Sequence, residues 1–292
     1  MRWLEFPGGL QAPFFREDRK ESEAQSRGEV TEAPLPCLIQ LQDRQLPKGF
    51  IFHGSRSGST LLSRFFTLSE EITVLSEPTA FGRLAALSTE FGSPLSFRAM
   101  MRALGVLNPG TRSVVCKLNS ATALHISELL RSFPEIPWVF VSRHPAEILD
   151  SNLRKTGGWL RNGKAEGASP DVLTARVMTA LTNIYRAVLE VLPRSGLVVP
   201  YEKLCHGEGF EQAAEHFDLQ LSAENVARGR RALNFHAHTG KPFDPRAIPV
   251  ECYETVERRY SRVRELYHEI EFYGRRQARS VHKAVNPEVM KQ

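Results

Sequence analysis

Four cysteines in 292 residues, at positions 37, 116, 205 and 252, are too few and too scattered for a disulfide scaffold, and none forms a Cys-x-x-Cys pair. Reduced thiols are therefore expected, and no cysteine-based metal site. No stretch approaches the roughly eighteen uninterrupted apolar residues of a membrane span. The opening residues contain no basic segment leading into an apolar run. Neither membrane insertion nor export is expected, and the cytoplasm is the expected compartment. Neither sign of charge dominates: 38 Lys+Arg against 33 Asp+Glu leave +5, which favours an anionic ligand without demanding nucleic acid. Much of the excess is local, with Arg258, Arg259, Arg262, Arg264, Arg275, Arg276, Arg279 and Lys283 crowding the last stretch. That cluster reads either as a solvated helix face or as a docking surface for acidic partners. There is no internal repeat and no low-complexity tract.

What is present is enough for one main core, since 41% of the residues are hydrophobic. Residues 1–48 read as an irregular arm: a mixed charge run from Arg16 to Glu23 is followed and preceded by Pro7, Pro13, Pro34, Pro36 and Pro47. Trp3, Phe6, Phe14 and Phe15 are expected to pack this arm onto the core. Beyond it, short apolar runs at 50–53, 72–75, 113–117, 138–142 and 196–200 read as strands. They alternate with helical spacing over 59–68, 121–133, 146–155 and 172–192, where Pro145 and Pro170 stand at two helix starts. Such alternation predicts an α/β fold, a central parallel sheet flanked by helices. Residues 157–167 and 228–250 read as loops and 252–272 as a closing amphipathic helix, which gives a domain over 49–275 and a tail over 276–292.

The first strand candidate runs into Gly54-Ser55-Arg56-Ser57-Gly58-Ser59-Thr60 and then a helix. A Gly/Ser turn between strand and helix start aims backbone N–H groups and a helix N-terminus at an anion, with a nucleotide phosphate as the natural guest. It is not a Walker A loop, because only Ser55, Arg56 and Ser57 lie between the glycines and no Lys precedes Ser59-Thr60. A second anion-reading element follows the fourth strand. Arg143 leaves the strand, Pro145 opens a helix, and Ser151 lies two turns along it, so that Arg143 and Ser151 can converge on one anion. Lys155 falls on the side of Ser151 by its spacing.

Together, Gly54-Ser55-Arg56-Ser57-Gly58-Ser59-Thr60 and Arg143-His144-Pro145 with Ser151 resemble the sulfotransferase family, and within it the tyrosylprotein sulfotransferases and their bacterial relatives. The resemblance implies a P-loop NTPase-like three-layer fold. It also implies 3′-phosphoadenosine 5′-phosphosulfate as co-substrate, held at its 5′ end by Ser55, Arg56, Ser57, Gly58, Ser59 and Thr60 and at its 3′-phosphate by Arg143 and Ser151. Tyr201, in Val199-Pro200-Tyr201-Glu202-Lys203-Leu204, is similar to a family tyrosine that approaches the donor, and Lys241 to a lysine of the loop over the nucleotide. Glu77, after the second strand, resembles the family's general base, a role that partial burial would favour. Lys117, ending the third strand, resembles the lysine that with Arg56 stabilises the departing oxygen. No metal is implied, and the partner is a hydroxyl-bearing acceptor, either a small molecule or a peptide tyrosine. The chain departs from the family in carrying Ser59 where Thr is frequent, His144 where Asp is frequent, and an arm without a counterpart. Two other readings stay open: a P-loop small-molecule kinase, which would lack its expected Lys and Mg²⁺-holding acid here, and a non-catalytic nucleotide-binding or interaction protein.

Overall fold

In a computed structural model, the described residues are 46–78, 97, 98, 100, 101, 112–154, 168–232 and 248–285, together with the backbone of 2, 3, 31 and 32. Five strands form the central sheet: β1 (Gly49–His53), β2 (Ile72–Ser76), β3 (Ser113–Lys117), β4 (Trp138–Ser142) and β5 (Gly196–Pro200). Their order is β2-β3-β1-β4-β5, and every pairing is parallel. The five runs named from sequence are these five strands. They were visible because a parallel strand is covered on both faces and is written as a nearly unbroken apolar run.

The alternation of side chains along each strand sorts the core into two layers. Phe50, Phe52, Val114, Cys116, Trp138, Phe140 and Val198 point to one side. There they meet α2 (Ile126–Ser132), α3 (Pro145–Arg154), α4 (Pro170–Val191), α8 (Val250–Arg259) and α9 (Ser261–Val285). Ile51, Val74, Val115, Val139, Val141, Leu197 and Val199 point to the other, against α1 (Ser59–Phe66) and α6 (Gly209–His216). Between β5 and α6 lies the short α5 (Tyr201–Cys205), and α7 (Ala223–Ala232) packs Val226 onto the second layer. The 22-residue α4 starts as its sequence dictates: Ser169 caps it by accepting from the N–H of Val172, and Pro170 occupies its first turn.

Three local expectations are corrected. The helix expected over 121–133 is two pieces, a 3-10 stretch over Ser120–His125 and then α2, because the Asn119 side chain accepts from the Thr122 N–H and tightens the first turns. Of the loop expected over 228–250, residues 228–232 belong to α7 and 233–247 lie outside the described residues. The closing helix expected over 252–272 is split at Tyr260 into α8 and α9, and α9 continues to Val285. The loop over 157–167 lies outside the described residues, as does the arm apart from residues 46–48 and a two-residue antiparallel ladder pairing Arg2–Trp3 with Thr31–Glu32.

α9 also closes one rim of the sheet. The Gln277 side chain accepts from the N–H of Val198 at 3.2 Å and donates to the carbonyl of Gly196, so a helix side chain pairs main-chain groups of the edge strand β5. Among the described residues, no helix is long and apolar enough to cross a membrane, and Cys116, Cys205 and Cys252 form no disulfide.

Candidate functional site

The connection leaving β1 goes to one half of the sheet and that leaving β4 to the other, so the carboxyl ends of β1, β3 and β4 border the crevice where ligands collect in such sheets. The loop after β1 turns there on two residues in left-handed backbone, Arg56 at φ 61° and Gly58 at φ 94°. Gly58 is dictated twice. Its φ disfavours any side chain, and a Cβ would stand 2.3 Å from Cδ2 of Tyr201. Gly58 is also the N-cap of α1 and offers no side chain to its first turn, which leaves that positive helix end directed at the crevice. Ser57 Oγ is buried there without a hydrogen-bond partner among the described residues. A buried polar atom in this condition is costly unless a ligand or water completes it.

The second element folds against the first. Arg56 Nε donates to Ser151 Oγ at 3.0 Å, and Arg143 Nη1 donates to the Arg56 carbonyl at 2.9 Å. Arg143 is held on two further sides: its Nε donates to Glu147 Oε2 at 2.8 Å, and its guanidinium lies 4.1 Å from the centre of the Tyr201 ring. Thus Arg56, Arg143, Ser151 and Tyr201, named from sequence far apart, form one contiguous group. Burial pushes the Tyr201 hydroxyl well above its ordinary pKa, with Arg143 pulling the other way, so it stays a neutral donor. Lys155 and Lys241 lie outside the described residues.

The remaining pair meets beside this loop. Lys117 is 0% exposed, an unusual state for an ammonium, and its Nζ donates to Thr60 Oγ1 of the anion loop at 3.1 Å. The same Nζ stands 2.8 Å from Glu77 Oε1, and that carboxylate side chain keeps 31% of its surface exposed. Glu77 adopts left-handed backbone, φ 57°, while its N–H still donates to the Lys117 carbonyl at 2.7 Å and continues the β2–β3 ladder by one bond. Strain of roughly 1–3 kcal/mol at such a residue persists where surrounding contacts fix it, and it clusters at functional positions. Here the turn aims the carboxylate across the end of β3.

Two residues of this site escaped the sequence reading. Glu147, one turn beyond Arg143, carried a readable signal in its i, i+4 spacing. His53 did not, because it reads as the last residue of an apolar strand. It is buried, its Nδ1 lies 2.8 Å from the Gly54 carbonyl, and its Nε2 is 3.8 Å from Glu77 Oε1. Burial, with Lys117 adding to it, lowers the imidazole pKa to about 4, while Glu77 opposes the shift. His53 is therefore neutral near pH 7. No group of three or more metal-ligating side chains occurs among the described residues.

No protein-family model and no curated protein matches the chain. Among solved structures, the sulfotransferase STF9 from Mycobacterium avium superposes with a TM-score of 0.56 at 16% identity, covering 90% of this chain and 86% of that one. The sulfotransferase STF1 from Mycobacterium tuberculosis H37Rv superposes with a TM-score of 0.51 at 14% identity, covering 80% and 78%. Over most of its length, then, this chain has the fold of these sulfotransferases.

Proposed function

We propose that the protein is a sulfotransferase that moves a sulfuryl group from 3′-phosphoadenosine 5′-phosphosulfate to an acceptor hydroxyl in the cytoplasm, without a metal. The observation that carries this reading is Lys117: a fully buried ammonium at a strand end that touches both the anion loop, through Thr60, and the candidate base Glu77. A fold that only bound a nucleotide would have no need to bury a charge between its phosphate loop and a carboxylate. The orphaned Ser57 hydroxyl and the uncapped start of α1 support an anionic guest at the same place.

In this reading, the α1 N-terminus with Ser55, Arg56, Ser57, Gly58, Ser59 and Thr60 holds the 5′ end, and Arg143 with Ser151 the 3′-phosphate. Glu77 takes the proton of the acceptor hydroxyl as its oxygen forms the new bond to sulfur. The bond from sulfur to the 5′-phosphate oxygen breaks, the electron pair stays on that oxygen, and Lys117 and Arg56 stabilise the charge. Lys155 is assigned a supporting contact to the donor on its spacing from Ser151, and Lys241 on the resemblance alone. The domain limits 49–275 are part of the same proposal.

Calorimetric titration with adenosine 3′,5′-bisphosphate beside ADP, without added metal, tests the donor class. The bisphosphate is expected to bind and ADP to bind much more weakly. Arg143→Ala should cost at least roughly 2 kcal/mol of bisphosphate binding, about 30-fold in Kd. Preference for ADP, or binding of neither, sinks the sulfotransferase reading.

A further inference from the structure

Among the described residues, the imidazole of His53 is a buried titratable group beside the candidate base that the mechanism above leaves without a task. Its Nδ1 lies 2.8 Å from the Gly54 carbonyl, a separation at which the nitrogen must carry the hydrogen, because two acceptors repel at that distance. A neutral imidazole has one such hydrogen, so Nε2 presents a lone pair. That atom is buried, has no hydrogen-bond partner among the described residues, and lies 3.8 Å from Glu77 Oε1. Two facing acceptors gain nothing from each other, and the arrangement becomes favourable only when a proton arrives on Glu77. Substrate cannot reach Nε2 directly, because the atom is sealed from the crevice.

Resting on the sulfotransferase reading, we infer that His53 is a positioning residue for the general base: its Nε2 accepts a hydrogen bond from Glu77 once that carboxyl has taken the acceptor's proton. The step balances simply. The acceptor O–H bond breaks, its proton joins the Glu77 carboxylate, and the resulting O–H donates to Nε2 with no further transfer of charge. Lys117, which holds the carboxylate form of Glu77, and His53, which holds the acid form, then serve opposite halves of one proton cycle. The groups facing the imidazole are Glu77, Lys117 and the main-chain carbonyls of Gly54 and Leu118. Burial beside Lys117 keeps His53 from becoming a cation and so preserves the lone pair.

The test is nitrogen NMR of the full chain with ring-labelled histidine, with the His53 signals assigned by their loss in His53→Asn. At neutral pH, His53 is expected to carry its hydrogen on Nδ1 and none on Nε2. In Glu77→Gln combined with Lys117→Met, which removes the ammonium that would otherwise claim the amide oxygen, the amide N–H imitates the protonated carboxyl, and the Nε2 resonance should move upfield as it accepts that bond. A hydrogen on Nε2 in the unaltered chain, or an Nε2 resonance that does not move in the folded double variant, overturns the inference. The tautomer is read on the unaltered protein, so it decides even if the variant fails to fold. Neither readout uses the nucleotide, so failure here is separate from a failure to bind adenosine 3′,5′-bisphosphate.

Discussion

Gly58→Ala perturbs the anion loop at its tightest point, and its cost can be built from the geometry. A residue with a side chain at φ 94° is strained by roughly 1–3 kcal/mol. The new methyl would also stand 2.3 Å from Cδ2 and 2.7 Å from Cε2 of Tyr201, an overlap that the ring must relieve by moving. Overpacking of this kind costs about 1–3 kcal/mol. Alanine restricts the unfolded chain and returns about 0.4–1 kcal/mol, too little to change the sign. A net loss of roughly 2–5 kcal/mol is expected, seen in thermal denaturation as a fall in Tm of several degrees. Moving Tyr201 also removes the aromatic face on which Arg143 rests, so affinity for adenosine 3′,5′-bisphosphate should fall as well. A double-mutant cycle with Tyr201→Ala separates the two terms. Without the ring, Gly58→Ala should keep only its backbone cost, about 1–3 kcal/mol. Equal costs in both backgrounds would refute the clash, and a Gly58→Ala protein as stable as its parent would refute the loop conformation itself.

Lys117→Met is expected to slow sulfuryl transfer by about 10²–10³, read as release of adenosine 3′,5′-bisphosphate. Its stability cost should stay well below the 3–5 kcal/mol of a broken buried pair, because Glu77 remains partly hydrated; an unchanged rate would remove Lys117 from the mechanism. Glu147→Gln keeps an acceptor for Arg143 Nε while deleting a negative charge beside the proposed 3′-phosphate, so calorimetry should show bisphosphate binding tightened, roughly 2–10-fold; weaker binding would show that the charge itself anchors Arg143. His53 titrates near 6.5 in the unfolded chain and about 4 in the native one, so as pH falls between those values the unfolded state binds the proton first and stability declines. The loss amounts to about 3 kcal/mol by pH 4, and it should be missing from the acid-stability curve of His53→Asn, which has nothing to titrate there. Parallel acid-stability curves for the two proteins would place His53 in a less buried setting.

The parts of this molecule legible in sequence are those whose physics is local. Buried parallel strands write themselves as apolar runs, and Ser169-Pro170 announces the start of α4 by its own capping chemistry. The turn carrying Arg56 was legible from its closely spaced Gly and Ser between strand and helix, and that carrying Arg143 from the Pro145 that opens α3. α7 was not, since it contributes only Val226 to the core and carries Gly229 in its interior. What forms it is a Ser222 cap and an Arg228–Glu224 pair, together with the approach of Phe65, whose ring would lie 2.1 Å from a Cβ on Gly229. His53 was hidden for another reason. Its meaning arises only when β3 and the end of β2 bring Lys117 and Glu77 beside it, and no spacing along the chain encodes that.

The Gln277 side chain on β5 has a consequence for how the protein behaves among copies of itself. An edge strand with unspent donors and acceptors invites a stranger's strand, which is how sheets propagate into aggregates. By answering the Val198 N–H and the Gly196 carbonyl from within, Gln277 makes β5 a place where the sheet stops growing. α9 thereby ends the sheet at β5, away from the strand ends that border the candidate site.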